Sequence, residues 1–547
     1  MRIILFSGTD LTSGRTGWHQ GAMNPWSPLF PSVPAAILVF GLGFELLRFA
    51  GLRSGLRRDN PRLSFTVWAL RPWLFWAAFN LFYRWHWDLG FNNRRTFPFY
   101  ANPWVRDESF SAALQRLAHA PGVLFWGLVA VALLALLLLL LAWALRGRPR
   151  RAGPALAGFF ALATGLHLSI ACLPNADWTT ENGRHSSLLT SWNSIGSTML
   201  HAVPQVRGST DYFTRFLEIQ PRLRQTIHAL SHPPAASLSL YWIGKAMGVK
   251  GCDIRLPEVR LRYTLGLTAF GALNALVLFL LGRSLFDTRT GLLTAVLWIT
   301  APSVIAYATF AQDSLYAVFF NLALWLGWLT VTTERRAPLC GAALGVVFFA
   351  MTLLSYSWCL VTTLFALFAL LVGRQRRWPL REHAVRLVLP LAIMTLLAAA
   401  FLVHHRLDYF AIYRYSSRFV NEWYPFTGPY QWIMALLGGQ IDLWLLLGSV
   451  TASALAVSAA RFRPARLADP RTLYLALLLG VFALPLLFGP NCLKMETARC
   501  WIWIASLPLA IAARHLLLMP SRLFLYGTPV VSVATAITLR LFLDFAT

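Results

Sequence analysis

Asp177 and Glu181, in LPNADWTTENGRH (173–185), directly follow an apolar run. A carboxylate so placed can take a proton from a hydroxyl. It can equally be plain loop solvation or a helix cap. Asp313, in FAQDSLY, opens another apolar run, where the helix dipole favours negative charge whatever else the residue does. In SHPP (231–234) the second proline fixes its own φ and the first holds His232 extended. That stiff loop suits a contact made by His232, and it suits a simple helix start at Ala235 just as well. Arg260 and Arg262 stand at the head of one apolar run, and Lys494, Glu496 and Arg499 lie in GPNCLKMETARCW (489–501). Such cations hold anions through charge-assisted hydrogen bonds, or snorkel to a membrane interface. Glu496 and Arg499, at i,i+3, can also pair with each other. Tyr413 and Arg414 belong to DYFAIYRYSSRFVNEWYPF (408–426), whose rings are suited to stacking or to an interfacial belt.

These groups must be carried by membrane helices. The 547 residues are 57% hydrophobic and only 13% charged, and mean hydropathy is +0.55. Soluble domains have about 25% charged residues. Repeated apolar windows, each long enough to cross a bilayer core, give about fourteen spans and an all-α polytopic membrane protein. A β-barrel would show short alternating segments instead. The net charge of +26 does not point to nucleic acid, because the basic residues are dispersed between apolar helices. The apolar part of MRIILF is too short for a cleavable signal peptide. Among six cysteines there is no CxxC and no metal-ligand spacing. Cys172 and Cys252, or Cys492 and Cys500, are placed where they could pair. His404 and His405 beside Asp408 do not share one helix face, so no metal site is expected.

The connections RFAGLRSGLRRDNPR, RGRPRR, GRSLFDTRTG, TERRAP, GRQRRWPLREH and ARFRPARLADPR are basic, and each follows an odd-numbered span. The positive-inside rule makes them cytoplasmic and places three long loops, 85–120, 174–257 and 404–432, on the other side. Helical spacing within 174–257 predicts two amphipathic helices on the outer membrane surface, 211–230 and 236–248; a re-entrant span is the other reading. The chain divides into an N-terminal three-helix extension (1–150), a core (151–375) with outward loop 174–257, and C-terminal helices (376–547) with outward loop 404–432. Apart from Glu45 and Asp442 the spans read as nearly charge-free.

From SHPP onward the order is a surface helix, an Arg-led span at Arg260, GRSLF (282–286), GLL (291–293), Pro302 and Asp313. This order resembles the core of the GT-C-fold, polyprenyl-phosphate-sugar-dependent glycosyltransferases, which include protein O-mannosyltransferases and lipid A aminoarabinose transferases. Glu496, Arg499 and Trp501 resemble an E-x-x-R-x-W segment of bacterial relatives. The resemblance covers roughly 170–375 and 490–515, and leaves residues 1–150 outside it. The family's acidic D-E pair is replaced here by Asp177 and Glu181, which leaves the identity of the base open.

The resemblance implies a GT-C-like core in a bacterial plasma membrane with its active site facing outward. It implies hexosyl or pentosyl transfer, with inversion, from a polyprenyl-phosphate sugar to a lipid, glycan or protein acceptor, using no cofactor. Asp177 or Glu181 would be the base, and Asp313 would line the site. Arg260, Arg262, Lys494 and Arg499 would hold the donor phosphate, and His232, Glu496, Tyr413 and Arg414 would contact substrate. Membrane lipids are the other expected partners. A flippase for a lipid-linked saccharide would instead carry ionisable residues near the midplane. A non-catalytic relative in envelope assembly is the third reading.

Overall fold

Proline decides where many of these helices begin. In the computed structural model, which describes residues 61–70, 73, 122–146, 151–173, 202–223, 229–230, 232–249, 256–309, 311–423, 447–460, 467–493, 506 and 508–542, proline occupies the first turn of six of them. There its missing N–H costs no hydrogen bond and its fixed φ suits the helix.

The helices are α1 (Val123–Arg146), α2 (Ala152–Ala171), α3 (Ser209–Thr214), α4 (Phe216–Ile219), α5 (Pro234–Ala246), α6 (Pro257–Leu285), α7 (Thr288–Thr300), α8 (Pro302–Tyr307) and α9 (Asp313–Thr332). They continue with α10 (Ala337–Leu354), α11 (Trp358–Arg376), α12 (Leu389–His405), α13 (Tyr409–Trp423), α14 (Ser449–Ala460), α15 (Pro470–Leu493), α16 (Leu509–Leu517) and α17 (Arg522–Phe542). Among the described residues eight helices are long and apolar enough to cross a membrane, and no strand occurs. The chain is therefore an all-α, multi-pass integral membrane protein.

Two expected helices are broken. The run 287–307 divides into α7 and α8 at Ala301, which is extended (φ −61°, ψ 128°) ahead of Pro302, as the proline ring demands of its predecessor. The expected helix over 211–230 is α3, α4 and a 3₁₀ turn, Gln220–Leu223. Pro221 removes a donor there, and Arg215 interrupts the helix where it pairs with Asp211 (3.2 Å) and Glu218 (3.5 Å). The second expected helix is present as α5, which bridges α6 and α10.

Helices α6 and α9 form the centre, with two thirds of their spanning residues buried, whereas 6% are buried in the span Leu380–His405. That peripheral span presents Leu396 and Val403, 68% and 78% exposed, a surface suited to lipid. The α6–α7 pair packs closely because Gly282 and Gly291 face each other; a Cβ on Gly291 would lie 2.5 Å from the Phe279 carbonyl oxygen. Small residues permit such approach between membrane helices. Inside the bundle Asn321 Nδ2 donates to Asn274 Oδ1 (3.0 Å), and Ser506 Oγ donates to Asn321 Oδ1 (2.6 Å). The helical stretch 61–70 docks on the C-terminal helices, with Trp68 edge-on to Phe524 (5.1 Å).

Buried polar capping finishes the frame. Arg386, 4% exposed, donates to the carbonyls of Thr330 (3.0 Å), Val331 (2.9 Å) and Thr333 (2.7 Å), so it caps the end of α9. It also pairs with Glu382 and lies over the Trp378 ring. At the start of α7, Asp287 accepts from the Thr290 backbone N–H (2.8 Å) and is held by Arg514 (2.7 Å).

Candidate functional site

The first turn of α9, which Asp313 opens, meets His232 through Tyr316. Asp313 is half-buried in the first turn of α9, where the helix dipole favours its charge. One turn on, buried Tyr316 meets the half-buried His232 ring: centroids are 5.9 Å apart and the planes are inclined by 27°. Pro233 is extended (ψ 160°) and Pro234 starts α5. The loop is thus both a helix start and a contact with the Asp313 turn.

Above this turn runs a polar lane on α6. Arg260, Thr264 and Thr268 are buried at 9%, 0% and 0% exposure and, at i, i+4 and i+8, share one face. Ser314 Oγ lies 3.5 Å from the Leu267 carbonyl, which sets the level of the Asp313 turn. From Arg260 to Leu267 is about 10 Å of helix. Among the described residues one guanidinium nitrogen of Arg260, Nη1, has no hydrogen-bond partner; such a buried donor is costly unless an anion or acceptor meets it. Arg262 has different company: its Nη1 donates to the Gly248 carbonyl beyond α5 and lies 3.5 Å from that of Met247. It ties the end of α5 to α6.

A second network reaches the same loop from α13. Ser416 Oγ donates to the Leu230 carbonyl (2.8 Å), two residues before His232. With its hydrogen so used, it accepts from Gln220 Nε2 (3.0 Å) and from the Tyr356 hydroxyl (3.2 Å). Tyr409 donates to the Thr352 carbonyl (2.8 Å) and accepts from Trp358 Nε1 (3.2 Å). Burial pushes the phenols of Tyr356 and Tyr409 well above the usual range, against the pull of these hydrogen bonds, so both stay neutral. Tyr413, 48% exposed, meets Tyr356 edge-on at 5.0 Å, while exposed Arg414 lies with Nε 3.4 Å from the Phe410 carbonyl.

The structure therefore sets the His232 ring against the turn that Asp313 opens, leaves Arg260 about 10 Å further along α6 from the level of that turn, and ties the α13 platform of Tyr413 to the His232 loop. Asp177, Glu181, Lys494, Glu496 and Arg499 lie outside the described residues. Cys172 is a free thiol, and its candidate partner Cys252 also lies outside. Among the described residues no group of three or more His, Cys, Asp or Glu is placed to hold a metal ion.

Four contributors escape the sequence reading. Tyr316 was signalled only by its i+3 spacing from Asp313. Gln220 and Ser416 had no signal, since their partners lie far away in the chain. Arg540, in α17, is 7% exposed; a cation inside an apolar run is itself a marker, and it belongs beside Glu45 and Asp442.

No family model and no curated protein matches the chain. Among solved structures, the crystal structure of the Archaeoglobus fulgidus oligosaccharyltransferase, in complex with Zn and sulfate, is similar at 13% identity and a TM-score of 0.39. The match covers 71% of this chain and 53% of that one, about half its length. A likeness this distant assigns neither residues nor substrate. What the helices define is the class, a multi-pass integral membrane protein.

Proposed function

We propose that this protein is an integral-membrane glycosyltransferase with a GT-C-like core. It moves a hexosyl or pentosyl group from a polyprenyl-phosphate donor to an envelope acceptor on the non-cytoplasmic face. One observation carries the reading: the SHPP loop docks on the first turn of α9, which begins with Asp313, below the buried lane headed by Arg260. Sugar transfer needs a proton acceptor, a cation for the departing phosphate, and a position at the membrane surface where a lipid donor can reach both.

In this reading the acceptor hydroxyl oxygen attacks the anomeric carbon, and the bond from that carbon to the phosphate oxygen breaks. The leaving phosphate takes the electron pair and is held by Arg260, with Lys494 and Arg499 as further holders. The acceptor proton goes to a carboxylate: Asp177 or Glu181 as base, with Asp313 orienting it or the acceptor. His232 borders the site, Glu496 contacts substrate, and Tyr413 with Arg414 receives the sugar or acceptor. Arg262 acts on the phosphate only if it leaves the carbonyls beyond α5.

The test is sugar release from a panel of labelled polyprenyl-phosphate sugars by the purified chain, alongside Asp177→Asn and Asp313→Asn, with crude envelope as acceptor. Turnover of one donor by the wild type, lost in a variant that still folds and binds donor, supports the enzyme. Donor binding without turnover in all three moves transport or scaffolding ahead.

A further inference from the structure

The connection from α11 to the peripheral span Leu380–His405 concentrates positive charge. Arg374, Arg376, Arg377 and Arg381 are all exposed there. Among the described residues none of the four guanidiniums has an ion-pair or hydrogen-bond partner, and the neighbouring acid, Glu382, is taken by Arg386. Hydrogen bonds and rings fix this corner. Helix α11 ends in a Schellman turn, in which the Trp378 N–H donates to the Gly373 carbonyl (3.0 Å) and the Arg377 N–H to that of Arg374 (3.4 Å). Arg377 holds the left-handed position (φ 51°) that glycine usually takes, so a cation stands where backbone geometry alone favours glycine. Trp378 fastens the turn: the Arg386 guanidinium lies 5.2 Å from its ring, and the His383 ring meets it edge-on at 5.6 Å.

The corner also sits at the end of the span whose surface suits lipid. Leu380 is 86% exposed, and Ala384 and Val388, both exposed, follow it at helical spacing as an apolar track leading away from the arginines. Arginines at the end of a lipid-facing span reach headgroup depth. Their planar forks hold phosphate oxygens through charge-assisted hydrogen bonds. The positive-inside rule assigns this connection to the cytoplasmic leaflet, where anionic lipids draw basic clusters beside membrane helices. We infer that the α11 corner is a binding site for an anionic phospholipid, with its phosphate among Arg374, Arg376, Arg377 and Arg381 and an acyl chain along Leu380, Ala384 and Val388. Through Arg386 the corner joins the Thr333 end of α9, the end opposite Asp313. The lipid site is therefore separate from the proposed transfer site and does not depend on it.

The purified full chain in maltoside micelles is titrated with phosphatidylglycerol, with phosphatidylcholine of the same acyl chains, with glycerol phosphate and with poly-glutamate, and bound molecules are counted by native mass spectrometry. Phosphatidylglycerol should bind about tenfold more tightly than phosphatidylcholine, and the two soluble anions should bind far more weakly than either. Arg374→Gln, Arg376→Gln, Arg377→Asn and Arg381→Gln together should abolish the preference between the lipids; asparagine at 377 tolerates the left-handed backbone. Removing as many exposed charges from other turns on the same expected side, with Arg146→Gln, Arg283→Gln, Arg289→Gln and Arg522→Gln, should leave the preference intact. If the first set does not fold, Arg376→Gln with Arg381→Gln spares the left-handed residue and should lose part of the preference. Equal binding of the two lipids, equal loss in both sets, no loss in the α11 set, or glycerol phosphate binding as tightly as the lipid each overturns the inference. Displacement of phosphatidylglycerol by poly-glutamate assigns the corner to an acidic protein and overturns it too.

Discussion

His232 and Tyr316 lie ring against ring, 5.9 Å apart and 27° from parallel. One belongs to the loop that starts α5 and the other to the first turn of α9. The contact fixes where the stiff loop meets the helix that begins with Asp313. Tyr316→Phe keeps the ring and should keep most of the transfer rate. Tyr316→Ala removes a pairing of about 0.5–1.5 kcal/mol and should lower the rate a few-fold to tenfold, read as initial velocity at matched thermal stability.

Asp313 gives a sharper test of chemistry against folding. Asparagine removes the charge and keeps the shape, so Asp313→Asn should leave the melting temperature within a few degrees. If the carboxylate takes part in proton transfer, turnover should fall about 10²–10⁴-fold. A loss that appears only in KM would assign Asp313 to binding.

Ser416 ties two distant loops, donating to the Leu230 carbonyl while receiving Gln220 and Tyr356. Ser416→Ala should cost about 1 kcal/mol of stability. Hydrogen exchange should rise at the loop backbone around His232, with α6 and α9 unchanged.

Arg386 closes the end of α9 from outside that helix, with three carbonyls and Glu382 on one guanidinium. Arg386→Ala strands these groups and should destabilise by about 3 kcal/mol. Arg386→Lys, a point charge without the planar fork, should recover part of that. The measurement is thermal unfolding in detergent.

Asp287 sets a pH dependence. Burial works against its charge, but hydrogen bonds from Thr290 and the Arg514 guanidinium outweigh it and hold the carboxyl below its ordinary value. A depressed folded-state pKa means the stabilisation is complete above the ordinary carboxylate range near pH 4, and is lost as pH falls through the lower folded value. Melting temperature against pH should therefore show a shallow acid loss in the wild type that Asp287→Asn lacks. Asp287→Ala also loses the cap, about 1 kcal/mol at every pH.

Composition and local chemistry determined much of the frame. Apolar windows of spanning length announced the membrane helices, and prolines such as Pro234 and Pro302 marked where helices start or break, because a missing N–H acts on its own turn. The position of Asp313 at the head of α9 was legible for the same reason. Facing was not legible. A helix that is apolar all round carries no stripe to say which side meets protein, and in lipid small residues and hydrogen bonds decide the contacts. Hence only the tertiary structure put Tyr316 against His232, tied Arg262 to the residues beyond α5, and joined Ser416 to Leu230 across 186 positions. Each depends on two surfaces meeting in space, for which spacing along a single chain supplies no signal.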